Sequence, residues 1–488
     1  MTAETEKKDN LSHQASKGAF WGMTSNLTVS AISFVGTAIM ARILSPADFG
    51  LIGMAILVTG IINLFGNLGL GAALVQMKKI DDEYLSTAFW ASLLVSVGLF
   101  LGGVIAAPFA AVFFNESAIK WIIIFLSFNF IISSFSNIHT TLLYKNIRLK
   151  NIGITEILSR LVRIAVMLYC AKTGLRFWSI VIGMIVERVF KTVLFISMEK
   201  WRPAFVFSKD KFKELFRFGR NIYGQGFLGY FSRNMDFIIT GKILGSEVLG
   251  IYQFSYNLPY LVQSYVQDGI APVVFPVLSK VNDDYTRLAR GFFRAVKYIS
   301  IITFPLMVGL SFCANDFIII VYGEKWLLAA TPLKILCISA ALASVHAIDW
   351  TVFSSIGRPE IGLKWDLFRL PLTIVSIIVC SRWGIIGIAG AMLFVEVTGT
   401  LMSYLVTRFL DIKFYKYIIA LSPAILGSLT MITVLYSLDM ILIIENTYIR
   451  FLVNISVGLT TYSLFLFILF KKESDDFIKF IRLSLGRK

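Results

Sequence analysis

Apolar runs of about 20 residues, parted by short polar stretches, follow one another from Gly18 to Phe470. A run of that length is what an α-helix needs to cross a hydrocarbon layer about 30 Å thick. We count fourteen, centred near residues 31, 63, 99, 132, 163, 186, 230, 262, 306, 342, 374, 396, 426 and 458. Six precede a polar, basic stretch, six follow it, and two close the chain. The pattern therefore predicts an all-α polytopic membrane protein: a polar segment over 1–17, a six-helix bundle over 18–199, a linker over 200–217, a second six-helix bundle over 218–410, two more helices over 411–472 and a tail over 473–488. The linker and the tail interleave Lys and Arg with Phe, Trp and Leu, the pattern of helices that lie in the headgroup layer.

The pattern also repeats itself at a distance of 200 residues. Ile39-Met-Ala-Arg-Ile-Leu-Ser-Pro-Ala-Asp-Phe-Gly-Leu51 lies without a gap on Ile239-Thr-Gly-Lys-Ile-Leu-Gly-Ser-Glu-Val-Leu-Gly-Ile251. Ile39, Ile43, Leu44 and Gly50 recur identically, Arg42 becomes Lys242, and Gly69 falls on Gly269. Six helices per copy is an even number, so both copies start on the same side of the membrane as parallel repeats about its normal. Secondary transporters are commonly built this way, with the substrate near the bilayer midplane between the repeats. Within the first copy, Ser45 suits an N-cap, Pro46 the first helical position and Asp48 the first turn, so the second helix starts there.

Composition agrees. With 57% hydrophobic and 16% charged residues and a mean hydropathy of +0.75, the chain is too apolar for a soluble protein of this length. The polar start is not followed by a short apolar region with a small-residue cleavage site, so the first apolar run is expected to stay as a spanning helix. Cys170, Cys313, Cys337 and Cys380 lie far apart inside apolar runs and read as small core residues. No cofactor or metal is expected.

The net charge of +16 has an address. The N-terminus, the tail and the loops after even-numbered helices hold about 28 Lys and Arg, against about 8 in the loops after odd-numbered helices, which places both termini in the cytoplasm by the positive-inside rule. Basic residues beside an anionic leaflet explain the charge without a nucleic-acid partner.

A charge at membrane depth costs a few kcal/mol, so it faces a partner or a water-filled cavity. In the seventh helix Gln225, Gly229, Arg233, Asp236 and Thr240 share a face about 80° wide; in the eighth, Gln253, Asn257, Tyr260, Ser264, Gln267 and Asp268 share one of about 100°. The fifth carries Glu156, Ser159, Arg160 and Arg163, the sixth Glu187, Arg188 and Lys191, and the first a neutral stripe of Asn26, Ser30, Ser33 and Thr37. Such stripes imply a shared aqueous cavity. Its candidate substrate contacts are Arg160, Arg163, Lys191, Arg233, Gln225, Asn257, Tyr260 and Gln267; the candidate ion- or proton-coupling acids are Asp268, Asp236, Glu156 and Asp349. Arg233 with Asp236, and Asp366 with Arg369, have the i, i+3 spacing of self-neutralising pairs. Arg160 and Arg163 have only Glu156 on their own face, which leaves positive charge over. His346 shares a face with Asp349, and Glu396 stands isolated in the twelfth helix.

No catalytic constellation appears: no P-loop, no His/Cys/Asp cluster at metal spacing. Gly66-Asn-Leu-Gly-Leu-Gly71 superficially matches a dinucleotide fingerprint, but without a preceding strand its glycines read as close packing of helices.

Several segments resemble one family. Ala41-Arg-Ile-Leu-Ser-Pro-Ala-Asp-Phe-Gly50, Leu68-Gly-Leu-Gly-Ala-Ala-Leu-Val-Gln76 and Leu85-Ser-Thr-Ala-Phe-Trp90 are similar to the N-terminal half of bacterial polysaccharide transporters, the Wzx-type flippases and colanic-acid exporter relatives. Asn234-Met-Asp-Phe-Ile-Ile-Thr-Gly-Lys-Ile-Leu-Gly245 and Phe275-Pro-Val-Leu-Ser279 are similar to the second half. The resemblance implies a MATE-like fold in a bacterial inner membrane. It also implies transfer of an undecaprenyl-pyrophosphate-linked oligosaccharide from the cytoplasmic to the periplasmic leaflet, beside a polymerase and a chain-length regulator of the same pathway. Arg suits the pyrophosphate through paired donors, and neutral polar stripes suit the sugars. Two rivals are a cation-coupled multidrug exporter of the same fold and a membrane polysaccharide polymerase or ligase. The absence of any acid in the first four helices beyond their first turns argues against the first, and the short loops after odd-numbered helices argue against the second.

Overall fold

The computed structural model describes residues 2–66, 69–77, 80–219, 223–280 and 284–471; the side chains of residues 2–17, 19–20, 72, 218–219, 223–226, 266–277 and 359 lie outside the description. The expected contributions of Gln225, Gln267, Asp268 and the tail over 473–488 therefore fall outside the described residues. Among those described, every regular element is a helix. In chain order these are α1 (Thr2–Ile43), α2 (Pro46–Leu64), α3 (Leu70–Gln76), α4 (Asp82–Phe114), α5 (Ser117–Lys145), α6 (Leu149–Lys172), α7 (Trp178–Met198), α8 (Lys209–Gly219), α9 (Tyr223–Ser279), α10 (Tyr285–Phe312), α11 (Ala314–Val321), α12 (Ala330–Ser355), α13 (Pro359–Cys380), α14 (Gly384–Phe409), α15 (Tyr415–Ile441) and α16 (Thr447–Leu469).

Each expected centre falls in one of these helices. By length and apolarity, nine stretches among the described residues qualify to cross a membrane. Helices α6 and α7 are not among them, because they carry the charges that build the site described below. The second span lies at Pro46–Leu64, earlier than its expected centre, since the glycines from Gly66 onward break the helix. Its start follows the sequence: the Asp48 amide donates to Ser45 Oγ at 3.3 Å, the Ser45 amide to Asp48 Oδ2 at 3.1 Å, and Pro46 leads the helix. This reciprocal cap satisfies two donors that a helix start leaves open.

The chain forms two compact units, Met1–Gly250 and Ile251–Lys488. In the first, the turns sort to two ends. At one, Arg176 of the α6–α7 turn lies 3.3 Å from Asp48 at the start of α2, and Ser246 Oγ donates to Glu116 of the α4–α5 turn at 2.6 Å. At the other, Lys145 Nζ donates to the Leu74 and Met77 carbonyls that end α3, at 3.1 and 2.6 Å. Lys211 there lies 2.6 Å from Asp81 and 2.7 Å from Glu83. The ammonium of Lys211, hydrogen-bonded to Asp81, holds that carboxyl below its ordinary range, and the two carboxylates push Lys211 up.

The linker is packed rather than free. Trp90 Nε1 donates to the Ala204 carbonyl at 2.8 Å, the Ala204 amide to Ser86 Oγ and the Ser208 amide to Thr87 Oγ1, both at 3.1 Å. Leu215 of α8 then enters a core with Leu70, Leu74, Leu85, Phe89 and Ile138, so α8 braces α3 against α4 and α5.

The duplicated segment is visible as geometry. Ser45 has the extended backbone (φ −81°, ψ 159°) that parts α1 from α2, and Gly245, 200 residues on, breaks α9 at φ 82°, ψ −178°, a conformation that only glycine adopts without strain. The two segments then meet reciprocally. A Cβ on Gly50 would stand 1.7 Å from the carbonyl oxygen of Ser246, and one on Gly250 would stand 2.0 Å from that of Pro46. Positions 46 and 246 correspond, as do 50 and 250, so each helix presents its glycine to the other's first turn.

In the second unit, α10, α15 and α16 share a core of Ile301, Met431, Leu435, Tyr462 and Leu466, where Tyr462 donates its hydroxyl to the Ile301 carbonyl at 2.9 Å. Arg450 of α16 donates from Nε to Asp316 Oδ2 of α11 at 2.8 Å.

Candidate functional site

The site grows from two consecutive antiparallel helices. Acids and bases on α6 and α7 pair in a ladder: Lys191 with Glu156, then Arg160 and Arg163 together with Glu187, at 3.5 and 3.3 Å. All of these side chains are only partly exposed. The charge left over on Arg160 and Arg163 in the sequence thus meets an acid on the neighbouring helix, while Glu156, the acid on their own face, goes to Lys191. Two arginines on one carboxylate still leave one positive charge. Arg163 also turns Nε to Met167 Sδ at 3.4 Å, and Arg160 Nε is buried without a hydrogen-bond partner among the described residues.

Beside the ladder opens a cavity of about 540 Å³, walled by α3, α4, α5, α6 and α7. Its walls mix neutral polar side chains with apolar ones such as Leu70, Val95 and Ile138. Ser92 and Ser96 come from α4; Ser133, Asn137, Thr140 and Tyr144 come from one stripe of α5. Gly66, Gly69 and Gly71 form part of the same wall, and Gly66 and Gly71 also pack closely on neighbouring helices, since an added Cβ would stand 2.5 Å from Leu99 of α4 and 3.2 Å from Thr141 of α5. Three charged residues line it, Glu156, Arg188 and Lys191. Two cations against one anion give the cavity one net positive charge. Lys191 is held by Glu156; among the described residues no partner stands against Arg188.

The other sequence candidates lie elsewhere. Arg233 is exposed on α9 and donates from Nε to the Gly229 carbonyl at 3.2 Å, so its contact is with its own helix backbone rather than Asp236, which is buried one turn on. Asn257 and Tyr260 are exposed on the part of α9 in the second unit, where Tyr260 stacks on Tyr256 at 5.5 Å. In that unit Arg369 pairs with Glu396 of α14, not with Asp366 one turn before it on its own helix, and His346 Nδ1 lies 3.4 Å from the same Glu396. The acid that stood isolated in the sequence is therefore the hub of a triad. Asp349, fully buried, accepts from Ser403 Oγ at 2.6 Å, and Ser403 lies 3.1 Å from the Tyr417 hydroxyl; Asp349 Oδ1 has no partner among the described residues. His346 and Asp349, on one face, serve two separate networks.

The α5 stripe escapes the sequence pattern for a physical reason, whereas Arg188 stands in it on the sixth helix beside Glu187 and Lys191 but not among the substrate contacts. Ser, Thr and Asn barely lower the hydropathy of a span, so they leave no gap in it. The signal was nevertheless there: Ser133, Asn137, Thr140, Thr141 and Tyr144 recur every three or four residues.

Comparison with known proteins adds to this geometry. Residues 39–331 match the family described as polysaccharide biosynthesis protein. Over 442 residues the chain is 24% identical to the lipopolysaccharide biosynthesis protein WzxC of Escherichia coli strain K12, covering 89% of each. Its fold is similar to that of the lipid II flippase MurJ in an inward closed conformation, with a TM-score of 0.74 at 18% identity over 92% of this chain and 99% of that one. It is also similar to an inward-facing multidrug resistance MATE family transporter, with a TM-score of 0.61 at 15% identity over 78% and 95%. The expected MATE-like helical fold is therefore the fold observed.

Proposed function

This chain belongs to the polysaccharide biosynthesis protein family, and on that premise we propose that it is a flippase, moving an undecaprenyl-pyrophosphate-linked oligosaccharide from the cytoplasmic to the periplasmic leaflet of a bacterial inner membrane. The observation that carries the reading is a polar, net-positive cavity among the helices of the first unit of a multi-pass chain. A lipid-linked sugar needs such a passage for its head while its prenyl tail stays in lipid. Fourteen crossings, both termini in the cytoplasm and alternating access by the repeats complete the proposal.

Arg160 and Arg163 are the proposed pyrophosphate contacts. They already hold one carboxylate between two guanidinium groups, and a pyrophosphate oxygen pair fits the same fork. Lys191 and Arg233, with Asn257, Tyr260, Gln225 and Gln267, would contact the rest of the head. Asp349, Asp236, Asp268 and Glu156 are the proposed coupling acids; Glu156 would act by exchanging Lys191. The polymerase and chain-length regulator of the pathway would receive the product.

Proteoliposomes carrying a fluorescent lipid-linked oligosaccharide test this directly. The purified protein should move the lipid between leaflets faster than protein-free vesicles, and no acceleration would sink the reading. Arg160→Lys with Arg163→Lys keeps Glu187 matched in charge but removes the paired donors. Each charge-assisted bond is worth roughly 1.5–3 kcal/mol, so the initial rate should fall at least about tenfold with membrane abundance unchanged.

A further inference from the structure

Resting on that transport reading, we propose that the cavity of the first unit is a sugar subsite built for a glycan that bears one carboxylate, with Arg188 as its anion contact. The site differs from the Arg160–Glu187–Arg163 cluster, none of whose members line the cavity. Three features of its wall point to an acidic sugar rather than to the diphosphate.

The first is charge. With Lys191 neutralised by Glu156, the cavity offers the one positive charge of Arg188, which matches a monoanion and undershoots a diphosphate. The second is donor balance. Ser133 donates its hydroxyl to the Phe130 carbonyl at 2.9 Å, Thr140 to Ser136 at 2.9 Å and Thr141 to Asn137 at 2.8 Å. These three keep lone pairs free to accept, while Ser92, Ser96, Asn137 and Tyr144 bring hydroxyl and amide donors to the same wall. A wall that both accepts and donates suits sugar hydroxyls, which do the same, whereas an ionised phosphate can only accept. The third is size: about 540 Å³ falls within the roughly 300–1,000 Å³ of small-molecule sites, room for a few sugar rings. An arginine at membrane depth with no protein partner costs free energy unless an anion or water meets it, so a ligand carboxylate gives Arg188 a reason to stand there.

Equilibrium binding to the full chain in nanodiscs, at pH 7 and low salt, tests the assignment. The probes are two trisaccharides that differ only in one C6 carboxylate against a hydroxymethyl, and inorganic pyrophosphate as competitor. The acidic trisaccharide should bind at least about tenfold tighter than the neutral one, the ratio expected for a charge-assisted contact. Arg188→Gln should bring the two affinities together, and Arg188→Lys, which keeps the charge and guards against a folding failure, should restore part of the preference. Equal binding of both sugars, a preference that survives Arg188→Gln, or displacement by pyrophosphate at lower concentration than by the acidic sugar would each overturn the proposal. The two readings fail separately. A protein that discriminates the sugars but moves no lipid keeps this subsite and loses the flippase assignment; one that moves lipid without discriminating loses the subsite alone.

Discussion

Glu187 holds two arginines with one carboxylate, and that sharing sets an asymmetry at the scale of single residues. Removing the acid leaves two partly buried cations facing each other without compensation, whereas removing Arg160 leaves Glu187 still paired with Arg163. Breaking a buried pair by deleting one partner costs about 3–5 kcal/mol, and partial exposure here brings the expectation to about 2 kcal/mol or more for Glu187→Gln. Arg160→Gln should cost clearly less. Thermal unfolding of the two variants in one detergent checks the order; equal melting temperatures would overturn the asymmetry, and both matching the unmutated protein would show that the ladder contributes nothing to the fold. At this scale the sequence was only half legible. Which residues are charged inside the spans was plain, but a helical wheel sees one helix at a time. Arg369 therefore looked like the partner of Asp366, when Glu396 lies within reach from α14.

Elements were more legible than their partners. The cap of α2 follows from Ser45, Pro46 and Asp48 alone, because each acts on its own backbone. The second span is centred too late in the sequence pattern because an apolar run conceals where a helix stops, and the glycines just beyond it line the cavity. The contact of α2 with the second half of α9 makes a sharp prediction. A methyl on Gly50 or Gly250 would overlap a backbone carbonyl that cannot swing aside, so Gly50→Ala and Gly250→Ala should each destabilise by about 1–3 kcal/mol, the usual cost of overpacking. Because either change already parts the two helices, the double variant should cost less than the sum. Gly102→Ala is the control. Nothing lies within 4 Å of its added methyl, and a helical Gly→Ala exchange in open space is neutral or stabilising. Melting temperatures in detergent separate the three cases, and a Gly50→Ala protein as stable as Gly102→Ala would contradict the close contact.

For the whole molecule, turns after odd-numbered and even-numbered spans of the first unit gather at opposite ends, the arrangement that a chain crossing a membrane at every helix must have. Combined with the bias of Lys and Arg, it predicts that a phosphatase fused after Lys488 is inactive and a green fluorescent reporter there is bright. One fused within the 442–446 loop should give the reverse. Fluorescence in the loop and phosphatase activity at the end would invert the topology. The duplicated motif carries a message about history as well. Residue 50 meeting 246 while 250 meets 46 is what a two-fold axis imposes on identical partners. A single 200-residue ancestor that paired with itself would have had to tolerate every substitution twice over, at both sides of its axis, and a glycine there was protected doubly. A fused duplicate would be free of that constraint, and Pro46 and Ser246 differ at equivalent places, as do Asp48 and Val248. The two glycines, each facing a carbonyl in the other's first turn, are the part of such a symmetry that a merged chain would not be free to lose.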